Sequence, residues 1–206
     1  MQSKYCYPSS STLINHFNIR DGGLLEQVEK TLTVIRLIEL DYNPLYGQFD
    51  LKHLQAIHHY IFQDVYPFSG QLREEHIAKD YFQFAHPLYI KDAFLDLYRQ
   101  LTKDQFLKGL SKIDFVQKLA YYMAEINVIH PFRDGNGRST REYIRYLAMA
   151  NGYTLDWRVV DKKEILEASK LSIVNTEKLE KLLYQTLNEK EPSQEVINKW
   201  KQAIKR

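Results

Sequence analysis

The densest chemistry in the chain lies in the twelve residues from His130 to Arg141, which read His-Pro-Phe-Arg-Asp-Gly-Asn-Gly-Arg-Ser-Thr-Arg. A potential base, a carboxylate, a Gly-Asn-Gly turn and a pair of arginines fall within reach of one loop and one helical turn. Gly135 and Gly137 lack a Cβ, so the backbone there can turn with positive φ and aim its N–H groups at an oxyanion. A helix beginning beside them adds roughly half a positive charge and unpaired amide donors. Arg138 and Arg141 share one face of that helix and can reach the same space as planar, permanently charged phosphate forks. This much positive charge suits a di- or triphosphate better than a single phosphate. Asp134 fits such a site if a cation is shared, because Mg²⁺ is usually held by one or two carboxylates plus substrate phosphates. His130 is the residue able to accept a proton near neutral pH.

Two helices must position these groups. From Ile113 to Ile129 the apolar residues Ile113, Val116, Leu119, Ala120, Met123 and Ile126 recur at the spacing of a helix with one buried stripe. That helix must stop before Pro131, because the residue preceding a proline is pushed out of the α region. His130 is therefore expected at a helix end, held from behind by core packing. A second periodic run starts at about Arg138 and continues through Tyr143, Ile144, Leu147 and Ala148 to the stop Asn151-Gly152. Residues 135 to 137 then lie at the positive end of that second helix. Each feature alone is commonplace, but their joint occurrence at fixed spacing between two helices is specific.

His130, Phe132, Asp134, Gly135, Asn136, Gly137, Arg138 and Arg141 match every fixed position of the motif HxFx(D/E)GNGRxxR, so the stretch resembles the Fic (filamentation induced by cAMP) domain family. The resemblance implies an all-α, mainly helical fold: a helical bundle with a small β-hairpin flap beside the active site. It implies a protein adenylyltransferase that moves AMP from ATP to a Ser, Thr or Tyr hydroxyl of a target protein, with pyrophosphate leaving. In that reading His130 is the catalytic base and Asp134 holds Mg²⁺ on the α and β phosphates. Gly135, Asn136 and Gly137 cradle the phosphates, Arg138 and Arg141 bind the β and γ phosphates, and Phe132 anchors the loop in the core. A related kinase branch has Lys where this chain has Gly137, which speaks against phosphoryl transfer. Two other readings stay open: transfer of a different phosphate-linked moiety such as UMP or phosphocholine, and a non-catalytic nucleotide-binding interaction module.

With 206 residues the chain can bury a sizeable core in one domain. We expect a Fic domain over 1–190, with its core at about 50–150 and the motif at 130–141, followed by a tail helix or a linker to a longer chain over 191–206. A hydrophobic fraction of 44% and a charged fraction of 26% are ordinary for a globular protein. A formal charge of +2 with no basic block gives no case for direct nucleic-acid binding. Cys6 is the only cysteine, which excludes an intrachain disulfide and a cysteine-based zinc site. No apolar run is long enough for a membrane span, and Met1 to Ser11 lacks a signal peptide's apolar core. The chain reads as a bacterial cytoplasmic protein, with export as an effector by a route needing no such signal left open.

Upstream, Thr12 is expected to cap a short helix through Phe17. Asp21 caps a longer one through Leu40 with Leu24, Leu25, Val28, Leu32 and Ile35 inside. After a loop at Asn43 to Phe49, Asp50 caps a helix whose Leu51, Leu54, Ile57, Ile61 and Phe62 face inward. On that helix His53, His58 and His59 have poor metal spacing and read as core or surface residues. Tyr66 to Gly70 is a turn. Residues Gln71 to His86 break the helical pattern and suggest a small hairpin around Asp80-Tyr81, which must lean on the helices to be stable. Its free edge could pair with an incoming strand. The family resemblance extends to DVYPFSGQLR here and implies that this flap registers the target segment over His130. Ile77, Ala78, Lys79, Phe82 and Phe84 are assigned to target docking, with Lys79 pointing at substrate or nucleotide. Helices follow at Leu88 to Leu101, from Asp161 to about Ile173 and from Thr176 to about Leu187. A last helix carries Val196, Trp200, Ala203 and Ile204 on one side and is expected to pack on the domain.

Many relatives are restrained by a helix bearing (S/T)xxxE(G/N), whose glutamate pairs with the second motif arginine, here Arg141. No glutamate in this chain is followed by Gly or Asn. The resemblance therefore implies a separate small antitoxin carrying the inhibitory glutamate. It also makes a type II topoisomerase, DNA gyrase or topoisomerase IV, a candidate target.

Overall fold

The computed structural model describes residues 2–79 and 82–203. The expected hairpin turn at Asp80-Tyr81 and the tail residue Ile204 lie outside the described residues. Among these, eight α-helices and one two-stranded antiparallel hairpin make up the fold, a mainly helical bundle as expected. The helices are α1 (Gly22–Tyr42), α2 (Leu51–Phe62), α3 (Ile90–Lys103), α4 (Lys112–Ile129), α5 (Asn136–Ala150), α6 (Lys162–Leu171), α7 (Glu177–Thr186) and α8 (Gln194–Ala203). The strands are β1 (Ala78–Lys79) and β2 (Phe82–Gln83), with Ala78 opposite Gln83 and Lys79 opposite Phe82. No helix among the described residues is long and apolar enough to cross a membrane.

The helix starts follow local chemistry. Asp50 accepts the N–H of His53 at 2.9 Å, and Ser111 accepts that of Asp114 at 3.2 Å, each satisfying an orphan donor of the first turn. α5 lies at the centre, packed against α2, α4 and α8. Its Ile144 and Leu147 and the facing Leu54, Ile57 and Leu119 have no exposed surface. At its far end Gly152 takes φ 87°, and the tail passes so close that a Cβ there would come within 2.8 Å of the Ser193 amide. The Ser193 N–H donates to the Gly152 carbonyl at 2.8 Å, and Trp200 of α8 stacks on Phe49 at 5.8 Å. The tail helix is thus packed on the bundle.

Two expectations fail. Thr12 to Phe17 is not helical: Cys6 and Leu13 form an antiparallel bridge, and Asn15 spends its side chain on the backbone, accepting from Phe17 and Ile19 and donating to Leu13 and Ile19. A side chain that satisfies turn amides this well removes the reason to form a helix. In α1 the expected apolar stripe is only partly the inward face: Leu25 is buried and Leu32 packs against the core, but the outer members fail. Leu24 and Ile35 are half exposed, while Leu25, Thr33 and Leu40 are buried. The face turned to the bundle also carries Glu29, Thr33 and Arg36, because its neighbours just after α2 and on α5 are charged: Arg36 pairs with Asp64 at 2.6 Å and Glu29 with Arg138 at 2.7 Å.

Candidate active site

α4 ends at Ile129, and His130 follows it in the left-handed region at φ 47°, ψ 63°. The proline thus removes His130 from the right-handed helix, but into a strained conformation rather than an extended one. Phe132 is fully buried and stacks on the His58 ring at 3.8 Å. His58 ties the loop down from both sides. Its Nδ1 accepts the Gly70 N–H at 2.8 Å, which leaves Nε2–H to donate to the Asp134 carbonyl at 2.9 Å. Asn136 closes the loop on itself, accepting the Phe132 N–H at 2.9 Å and donating to the Phe132 carbonyl at 2.8 Å.

Only one of the two glycines turns left-handed. Gly135 has φ 77°, and a Cβ there would lie 2.3 Å from the Phe62 ring, so no other residue fits. Gly137 lies within α5, which begins at Asn136 and not at Arg138 as expected, and a Cβ there would sit 3.2 Å from an Arg141 nitrogen. The early start matters, because the Asn136 and Gly137 amides become first-turn donors with no acceptor in their own helix. Glycine at 137 leaves them open to an approaching anion.

Around this cradle a hollow of about 380 Å³ is lined by Lys79, Phe84, His130, Asp134, Arg138 and Arg141. It shares all of these but Asp134 with a larger hollow of about 1140 Å³ that runs between α1 and α6. Of the docking residues assigned to the hairpin, Ile77, Ala78, Lys79 and Phe84 line the smaller hollow and Phe82 the larger. The Phe84 ring stacks on the His130 imidazole at 3.7 Å, and its N–H donates to the Ile77 carbonyl at 3.2 Å. Asp134, about half exposed, accepts the Gly135 N–H at 2.5 Å and stands 4.0 Å from Arg138. Arg138 is held from behind by Glu29 and lies over the Phe62 ring at 4.5 Å. Arg141 makes no hydrogen bond or ion pair among the described residues, and burial, helped by Arg138, lowers its pKa to about 10.

His130 Nδ1 lies 3.3 Å from the Asn127 carbonyl, which can only accept, so the ring proton belongs on Nδ1 and Nε2 is left with a free lone pair. Burial lowers the His130 pKa to about 4; the Asn127 carbonyl and Asp134 work against that shift, and Arg73 and Lys79 with it. His58 is pushed by burial to about 3. Both folded values lie below the ordinary value of about 6.5, so below that pH the unfolded chain takes up protons that the folded chain refuses. Stability should therefore fall as pH drops from about 6.5 toward 4, at up to roughly 1.4 kcal/mol per pH unit for the fully buried His58. Urea midpoints at pH 7, 5.5 and 4.5 measure this, and a flat profile would contradict the buried neutral imidazole.

Some participants had no signal in the sequence. Glu29, Lys30 and the α6 residues Ile165 and Ser169 are single residues in ordinary helical patterns, and only packing brings them to the site; Arg73 closes the DVYPFSGQLR stretch, but its contact with His130 is visible only in the structure.

Comparison with known proteins agrees with this geometry. Residues 48–148 match the model of the Fic/DOC family. The chain is 41% identical over 165 residues to "Protein adenylyltransferase VbhT" of Bartonella schoenbuchensis, covering 80% of this chain and 34% of that protein. The chain thus spans about a third of that relative's length. It is 38% identical over 159 residues to "Probable protein adenylyltransferase Fic" of Escherichia coli, covering 77% of this chain and 78% of the relative. Among solved structures, the N-terminal Fic domain of a VirB-translocated Bep effector protein of Bartonella quintana, with bound ADP, superposes with a TM-score of 0.86 at 26% identity, covering 94% of this chain and 97% of that one. Motif, alignment and superposition agree on one assignment: this chain belongs to the Fic/DOC family.

Proposed function

We propose that the chain is a protein adenylyltransferase that transfers AMP from ATP to a hydroxyl side chain of a target protein. The observation that carries this reading is the convergence of a neutral histidine with a free Nε2, open first-turn amides of α5 and an Arg141 that has no partner among the described residues around one hollow. The target hydroxyl gives its proton to Nε2 of His130 as its oxygen bonds to the α phosphorus of ATP. The bond from that phosphorus to the oxygen bridging to the β phosphate breaks, and pyrophosphate leaves. The amides of Asn136 and Gly137 receive charge on the phosphate oxygens, and Arg138 and Arg141 hold the outer phosphates. Ile77, Ala78, Lys79, Phe82 and Phe84 present the target segment by main-chain pairing at the hairpin edge.

Mg²⁺, when bound, would supply charge neutralisation to the nucleotide's phosphates, and Asp134 is the side chain that would hold it. Its half-exposed carboxylate among the residues lining the smaller hollow fits, because such a cation draws most of its ligands from phosphate and water. Asp134→Ala is expected to lower transfer and to remove the response to added Mg²⁺; retained magnesium-dependent turnover would contradict the role.

Restraint is assigned to a separate small protein whose glutamate reaches Arg141. Two observations support it among the described residues: Arg141 lacks an anionic partner, and those lining the larger hollow include Lys30, Arg158 and Lys162 but no carboxylate. The proposed place of action is the bacterial cytoplasm, and DNA gyrase or topoisomerase IV is the candidate target on the family resemblance. Incubation of the protein with lysate and ATP labelled on either the α or the γ phosphate tests the activity. Label entering protein from the α position only is expected. Label from the γ position would mean a kinase, and label from UTP in its place another nucleotidyl donor. Co-expression with each neighbouring small open reading frame tests the restraint.

A further inference from the structure

We propose that Arg73 is the positioning residue of this site: one buried guanidinium holds the left-handed His130 and both roots of the β1–β2 hairpin in a single register. The proposal rests on the reading of His130 as the base and of the hairpin as the docking edge.

Arg73 is only 2% exposed, and no carboxylate pairs with it among the described residues. Its donors go to main-chain carbonyls instead. Nε donates to His130 at 2.7 Å, Nη1 to Glu75 at 2.8 Å, and Nη2 to Ala85 and, at 3.3 Å, to Ile129. The Arg73 N–H donates to the Pro131 carbonyl at 2.9 Å, and the Ala85 N–H to the Val128 carbonyl at 3.2 Å.

These acceptors share a logic. Ile129 and His130 are at the C-terminal end of α4, where carbonyls lack intrahelical partners and carry partial negative charge. A cation there is favourable, which explains how a charge without a carboxylate can be buried. Glu75 and Ala85 flank the hairpin on either side. With two paired residues per strand the hairpin cannot hold itself in place, so its position over His130 must come from outside contacts. Arg73 supplies them from the same planar group that grips the His130 carbonyl. Fixing that carbonyl also opposes relaxation of His130 from its positive φ, and the ring then stays stacked under Phe84. A lysine cannot substitute, because a single ammonium does not span acceptors fanned around a guanidinium plane.

Hydrogen exchange and transfer assays on the intact protein and on Arg73→Lys test this. In the folded variant, exchange at Ile77 to Lys79 and Phe82 to Ala85 should rise at least about tenfold, as for loss of one charge-assisted hydrogen bond, with the cores of α2 and α5 unchanged. ATP affinity should stay within about twofold while the rate of α-label transfer at saturating ATP falls about 10²-fold, the effect of a small misplacement of the base. Unchanged hairpin exchange, or a uniform fall in ATP affinity and melting temperature with transfer per bound ATP intact, would overturn the proposal. If Arg73→Lys does not fold, the unaltered protein decides: the Arg73 and Ala85 amides should exchange as slowly as the last turn of α4, and exchange as fast as at the exposed Ala78 would refute the anchor. If the unaltered protein transfers no AMP, the adenylyltransferase reading falls, while the exchange comparison still judges Arg73 on its own.

Discussion

His130→Ala is expected to lower the rate of AMP transfer by about 10²- to 10⁴-fold, the usual contribution of a positioned general base. ATP affinity should change by less than about twofold, because the base acts only as the proton moves. Three features of the site support so clean a separation. Nδ1–H is committed to the Asn127 carbonyl, so Nε2 is the basic atom. Burial keeps the ring neutral, with a pKa of about 4, so it is ready to accept a proton at neutral pH. No other imidazole lines either hollow: His58 is buried behind Phe132, and His59 lies on the outside with Ser69. Initial rates with α-labelled ATP and calorimetric ATP binding measure the two effects. Comparable transfer by the variant would remove His130 from the mechanism, and parallel loss of ATP binding would make it a structural residue.

Arg141→Met is expected to make the protein more stable and nearly inactive. The guanidinium is largely buried, unpaired among the described residues and repelled by Arg138, and burial lowers its pKa to about 10. Holding an unpaired cation in that position costs folding free energy, which a methionine of similar length would not. A gain of about 1 kcal/mol, or roughly 2–4 °C in melting temperature for a chain of this size, follows. In the proposed function the same charge holds the outer phosphates of ATP, and losing a charge-assisted contact of about 1.5–3 kcal/mol should weaken ATP binding about 10- to 100-fold. Melting curves with and without ATP resolve both effects. A lower melting temperature without ligand would show that Arg141 has a stabilising partner, and an unchanged shift on adding ATP would remove it from the phosphate site.

The motif residues were legible because their roles depend on local backbone. His130, the glycine turn and the two arginines lie within one loop and one helical turn, where sequence spacing determines spatial spacing. The capping residues Asp21 and Asp50 were legible for the same reason, since each bonds an amide three residues on. The inner stripe of α1 was legible only in part: Leu25 and Leu32 face the core, but Leu24 and Ile35 are half exposed. Its apolar positions predicted one face, but the helix docks through Glu29, Thr33 and Arg36 onto charged partners 28 to 109 residues away in sequence. The helix proposed at Thr12 was likewise displaced by the side chain of Asn15.

By itself, the sequence determined that two helices meet at a glycine turn with a histidine on one side and guanidinium groups on the other, since these placements need only helix periodicity and the limits that proline and glycine set on φ. Only the tertiary structure decided the conformation of that histidine, its tautomer and its neutrality. Those depend on the Asn127 carbonyl, the burial around His130 and the reach of Arg73 from 57 residues away. Electrostatic and hydrogen-bond terms of this kind are set by distance in space, and a chain's linear order carries little information about distances between residues that far apart.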